Sequence, residues 1–174
     1  VEKNTSYDET LYGLGATYRV NANVLLLAGV HDGFSATGVS NNRGETSQNY
    51  EAGLRYQNAG TSFEAIAFLT DFDNLIATCT ASSGCQTEGD TFEGGSVEVS
   101  GLELAAERVV DFAGRDVAMF LTYTLTETEF GSSFEANGYD LWGEVTQGDE
   151  LPYVSRHQIG LGLAAQFGNW DVNA

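Results

Sequence analysis

Arg156-His157-Gln158-Ile159-Gly160-Leu161-Gly162-Leu163-Ala164-Ala165-Gln166-Phe167 decides the fold. Ile159, Leu161, Leu163, Ala165 and Phe167 recur at every second position, with Gln158, Gly160, Gly162, Ala164 and Gln166 between them. A helix would space its apolar residues by three and four; sustained alternation marks a strand with one apolar and one polar or small face. Working outward, Val117, Met119, Leu121, Tyr123 and Leu125 alternate with Ala118, Phe120, Thr122, Thr124 and Thr126. Tyr50, Ala52, Leu54 and Tyr56 alternate with Glu51, Gly53 and Arg55. Helical periodicity is absent almost everywhere. The pattern predicts eight strands, at about 10–20, 23–34, 48–57, 61–72, 96–108, 115–128 and 156–167, with the last starting at Trp170.

Several of these runs reach the nine to eleven residues that a tilted strand needs to cross a bilayer. Their connections alternate in length. Asn21–Ala22, Asn58–Gly60, Val109–Gly114 and Gly168–Asn169 are short, whereas Ser35–Ser47, Asp73–Gly95 and Glu129–Ser155 are long, the asymmetry of outer-membrane barrels. Tyr18, Tyr56, Phe63, Phe167 and Trp170 all lie near the short turns, as an aromatic girdle at one interface requires. Acids such as Glu45, Asp73, Glu88, Glu129, Glu144 and Glu150 crowd the long connections. Two runs resist a simple reading. Near Gly101 the apolar phase slips from Val97 and Val99 to Leu102 and Leu104, which a bulge or the end of the embedded part would explain. Phe63–Phe72 is apolar on both faces, which leaves its lipid side unassigned.

Composition narrows the function. The 174 residues carry 25 acidic against 7 basic side chains, a formal charge of −18, with 21 glycines and one proline. Nucleic acid is excluded as a partner, because displacing phosphate counterions needs clustered Lys and Arg. The abundance of Tyr, Phe, Val and Leu separates the chain from disordered acidic segments. Val24–Val30, its longest strictly apolar stretch, is far short of the roughly twenty residues of a membrane-spanning helix. Cys79 and Cys85 lie in a Thr/Ser/Gly stretch with no further His or Cys to complete a metal site. They read either as a disulfide formed in an oxidising compartment, worth about 2 kcal/mol through loop entropy, or as two reduced thiols. No Ser/His/Asp grouping, phosphate loop or paired-His motif appears, so neither catalysis nor a cofactor is expected.

Four segments carry a resemblance. Glu45-Thr46-Ser47-Gln48-Asn49-Tyr50-Glu51-Ala52-Gly53-Leu54-Arg55-Tyr56 resembles a barrel strand of TonB-dependent outer-membrane receptors, and Ala28–Ser35 is similar to the strand before it. Phe92–Glu103 and Leu151–Gln158 resemble later segments, in the order of the ferric-citrate-receptor-like branch. Ala36-Thr37 and Ser155 depart from the prolines common at those positions. The resemblance implies an all-β transmembrane antiparallel barrel, of which residues 1–174 supply about eight of about 22 strands, with a plug domain and the remaining strands outside the chain. It implies a bacterial outer-membrane location, uptake of a ferric siderophore or similar iron chelate, and coupling through the plug to TonB with ExbB and ExbD. Outer-membrane lipid and lipopolysaccharide would surround it.

By position, His31, Arg43, Arg156 and His157 are the candidate ligand contacts, Arg43 being best suited to an anionic chelate. Glu51 and Arg55 share a strand face and suit the internal polar network of a barrel wall. Strong acidity is awkward for an anionic cargo, which the mouth would repel: either regions outside the chain supply positive charge, or the cargo is neutral, cationic or not citrate. Two alternatives stand beside the transporter: a complete eight-stranded structural or adhesive barrel, and a secreted β-sandwich binding module.

Overall fold

The computed structural model describes residues 8–36, 44–78, 91–93, 95–135 and 144–174. Its strands are β1 (Gly13–Arg19), β2 (Val24–Ser35), β3 (Glu45–Asn58), β4 (Thr61–Phe72), β5 (Ile76–Thr78), β6 (Thr91–Glu93), β7 (Val97–Asp111), β8 (Asp116–Phe130), β9 (Phe134–Glu135), β10 (Glu144–Val145), β11 (His157–Phe167) and β12 (Trp170–Asn173). Eight of them form one antiparallel meander in the order β1-β2-β3-β4-β7-β8-β11-β12. All eight predicted strands are present. The sheet is open, with β1 and β12 at its edges. Two two-stranded ribbons, β5-β6 and β9-β10, stand in the long connections; they were missed because runs of two or three residues show no alternation.

The short connections are tight because their residues permit it. At the β3–β4 turn Ala59 and Gly60 both have positive φ (40° and 78°), and at the β7–β8 turn Ala113 and Gly114 do so too (55° and 76°). That is the requirement of a two-residue turn matched to strand twist. Between β1 and β2 the Asn21 side chain closes the turn, its Oδ1 accepting from Asn23 N at 2.8 Å and Val24 N at 3.0 Å.

Registered partners share a face, so the pairing sorts every side chain. One face carries Leu14, Ala16 and Tyr18; Val24, Leu26, Ala28 and Val30; Tyr50, Ala52, Leu54 and Tyr56; and Phe63, Ala65, Ala67 and Leu69. It continues through Leu102, Leu104 and Ala106, then Leu121, Tyr123 and Leu125, then Ile159, Leu161, Leu163 and Phe167, to Trp170 and Val172. The band ranges from half-buried to strongly exposed: Leu161 is 79% exposed and Leu14 75%. On the opposite strand face only Val109 and Phe120 are large, apolar and exposed.

The apolar band is oblique to the register. It centres on position 27 in β2 and on Leu163 in β11, whereas the line of partners through Leu27 runs by Gly53, Ile66, Glu103 and Thr124 to Gln158. Five residues of offset thus accumulate over five strand-to-strand steps. An advance of about 3.3 Å for each strand spacing of about 4.8 Å is a tilt of about 35°, within the range that closed barrels adopt.

Neither irregular run needs a bulge. Pairing of β7 with β8 is continuous from Val97↔Phe130 to Asp111↔Asp116, which corrects the bulge considered for Gly101. The phase slips because the strand serves two apolar environments. Leu102 and Leu104 join the exposed band, while Val97 and Val99 on the other face enter a small core of Val97, Phe130 and Val145, flanked by Phe72, Leu75, Phe134 and Leu151. Likewise Phe63, Ala65, Ala67 and Leu69 belong to the band, and Ile66 and Phe68 lie on the opposite face against Gly53 and Gly101.

Candidate functional site

A sheet whose exposed face is an unbroken apolar band cannot present that face to water without heavy cost. The band is the lipid-facing side, and the opposite face is the lumenal wall. Short turns mark the periplasmic end and long connections the outer end. The five girdle aromatics, Tyr18, Tyr56, Phe63, Phe167 and Trp170, all fall on the lipid side near the short turns. There Arg115 sets its guanidinium 5.3 Å from the centre of the Phe167 ring.

The wall near the outer end is built from β2, β3 and β4. His31 points into the lumen opposite Asn49, whose partner on β4 is Thr70. Thr70 Oγ1 donates to Asn49 Oδ1 at 2.8 Å. The Asn49 amide donates to the His31 carbonyl and to Ser47 Oγ, each at 3.3 Å. Around His31 the wall is bare, because Gly13 faces it across the ladder and Gly29 and Gly33 flank it on the same strand face. Glu51, one step toward the periplasm, is exposed. Arg55 does not pair with Glu51; its ion partner is Glu64 on β4. Gly13 and Gly15 share the lumenal face with His31.

Over β7 and β8 the wall is capped. The connection from β8 to β11 folds back so that Val145 and Leu151 pack on Val97 and Phe130. Gly148 N donates to the Phe130 carbonyl and Phe130 N to that of Asp149, both at 2.9 Å. Leu151 N donates to Thr128 Oγ1 at 2.8 Å. Among the described residues, His31 on β2 and Glu51 on β3 are exposed and lie outside this cap.

The other sequence-derived candidates lie elsewhere. Arg156 binds Glu127 at 3.4 Å and Glu150 at 3.1 Å at the outward rim. His157 is the partner of Leu125 on the lipid side, stacked on Tyr123 at 6.2 Å, its Nδ1 sharing a 2.9 Å hydrogen bond with the phenol. Arg43, Cys79 and Cys85 lie outside the described residues. Asn49 and Thr70 were not among the sequence candidates. Each is the off-phase residue of its strand, and their partnership spans 21 positions.

A further feature appears only in the register. Asp32, Gln48, Asp71, Glu98 and Glu129 are successive partners on the lipid-facing side, just beyond the apolar band at the outer end. Asp32 is braced, its Oδ2 accepting from Tyr12 N at 3.0 Å and its Oδ1 from Gln48 at 3.4 Å. The row does not gather three ligating groups into one metal-sized cluster among the described residues.

Outward apolar band, lumenal polar wall, strand tilt and turn asymmetry together define part of a transmembrane β-barrel of the outer-membrane kind. The family model described as TonB dependent receptor-like, beta-barrel matches residues 1–174, and the chain belongs to that family. This is an outer-membrane family of Gram-negative bacteria whose members are transporters rather than enzymes, and membership supports TonB-dependent transport across the outer membrane. No curated relative matches the chain.

Proposed function

We propose that the protein takes up a ferric siderophore or similar iron chelate across the outer membrane, with the chain forming part of the wall of a plugged barrel. The observation that carries the transport reading is the two-sided wall: a continuous lipid-facing band backed by a lumenal face bearing His31, Asn49, Glu51, Thr70, Glu103 and Glu107. A purely structural barrel has no need of an accessible polar sector at its mouth. The open sheet, with β1 and β12 at its edges, suits part of a barrel of more than eight strands. The order of the four resembling segments supports an iron chelate as cargo. In this reading a plug domain fills the lumen and couples to TonB, ExbB and ExbD, the apolar band meets outer-membrane lipid, and the Asp32–Glu129 row lies at the level of the lipopolysaccharide headgroups.

The test is radioiron uptake by iron-starved cells carrying or lacking the full-length gene, with TonB intact or deleted. Uptake that requires both the gene and TonB supports the reading. Equal uptake in the gene-deleted strain refutes it.

A further inference from the structure

We infer that the accessible sector of the mouth selects an uncharged or cationic, donor-rich ligand and excludes anionic chelates. The inference rests on the uptake reading and specifies its cargo. Two independent features of the wall lead to it.

The first is the placement of positive charge. All five described arginines are committed away from the upper lumen. Arg19 and Arg115 lie by the short turns, and Arg108 is the partner of Met119 on the lipid side. Arg55 is held by Glu64, and Arg156 by Glu127 and Glu150 outside. Among the described residues, the charged side chains on the outer half of the lumenal wall of β2–β4 are the carboxylates of Glu45, which accepts from Ile76 N at 3.1 Å, and Glu51. With 25 acids against 7 bases in the chain, the surrounding field has the same sign. An anion approaching this sector meets repulsion and, among the described residues, no counter-charge.

The second is the direction of the hydrogen bonds. The Asn49 amide spends its donors on the His31 carbonyl and Ser47, and its oxygen accepts from Thr70. The Thr70 hydroxyl proton is used in that bond, which leaves its oxygen lone pairs facing outward. What remains for a ligand is chiefly acceptors, the Thr70 oxygen and the Glu51 carboxylate, beside the His31 ring. Such a wall binds hydroxyl, amide N–H or ammonium groups. A carboxylate or catecholate oxygen needs donors, and the wall has used most of its own.

The experiment uses the full-length receptor in outer-membrane vesicles and three gallium(III) complexes of matched size: a neutral trihydroxamate, the same complex bearing an ammonium group, and a trianionic tris-catecholate. The neutral and cationic complexes should bind, and the trianion should bind at least tenfold more weakly. Glu51→Gln should weaken the cationic complex about tenfold and the neutral one by clearly less; Thr70→Val should weaken both to a similar degree. Tighter binding of the trianion, or binding of none of the three, overturns the inference. TonB-dependent radioiron uptake measured on the same strains separates the outcomes: if it persists while the charge order is reversed, the transport reading stands and the ligand class is wrong. The wild-type comparison alone decides the matter should a variant fail to fold.

Discussion

Glu98 lies between two carboxylates of its own sign, with Asp71 directly opposite on β4 and Glu129 directly opposite on β8. Direct cross-strand partners hold their Cβ atoms about 5 Å apart, and like charges so placed destabilise the pair by up to about 1 kcal/mol. A Coulomb estimate at about 6 Å runs from about 0.7 kcal/mol per pair at the dielectric of water to about 2.8 kcal/mol at an effective dielectric of about 20, before screening. Glu98→Gln removes both repulsions and keeps the side-chain volume. It should therefore stabilise the folded barrel by about 1–2 kcal/mol in low salt, with the gain shrinking below about 0.5 kcal/mol in 1 M NaCl. The assay is reversible urea unfolding of the full-length receptor in phosphatidylcholine vesicles containing a chelator, so that no divalent cation screens the row. Glu103→Gln is the control on the same strand: its direct partners are Ile66 and Thr124, and its expected change is near zero. A neutral or destabilising Glu98→Gln at low salt, or equal effects at the two sites, would refute the assigned register and the outward placement of the row.

Three further outcomes follow from the same geometry. Leu121→Lys, at the centre of the lipid-facing run of β8, should cost about 2–4 kcal/mol in the vesicle unfolding assay, whereas Thr124→Lys on the lumenal face should cost under about 1 kcal/mol. Ala59 has a φ of 40°, so Ala59→Gly should raise stability by about 0.5–1 kcal/mol, and Ala59→Val should lower it in the same titration. Phe130→Ala empties the mouth core, in which Phe130 is 1% exposed; it should cost about 3–4 kcal/mol locally and speed hydrogen exchange at Gly148 and Leu151 while leaving that of β2 and β3 unchanged.

The eight long strands were legible because a membrane sheet writes its environment into every second residue. Lipid tolerates almost nothing polar, so Ile159–Phe167 and Val117–Leu125 alternate more cleanly than most water-facing strands do. The girdle was legible for a related reason, since Tyr18, Tyr56, Phe63, Phe167 and Trp170 are both aromatic and close to short turns. Where alternation broke, the sequence was still informative but ambiguous. An apolar residue off phase marks either a bulge or a second apolar neighbour, and only the pairing of Val97 with Phe130 distinguishes them.

The site was the least legible part, and the reason is geometric. A wall of antiparallel strands assembles its rows from positions far apart in the chain, so Asp32, Gln48, Asp71, Glu98 and Glu129 are one line in space and five unremarkable polar residues in sequence. His31, Asn49 and Thr70 are related in the same way. Position beside a long connection made Arg156 and His157 candidates, and position alone does not say which face a side chain takes. The rim separates those two from the lumen because β11 starts at His157: the strand's alternation puts that ring on the lipid side beside Tyr123, while Arg156, just before the strand, reaches outward to Glu127 and Glu150. In a barrel wall the face on which a side chain lies outweighs its chemical type, and a parity count from the nearest lipid-facing residue is the first test to apply to any candidate contact.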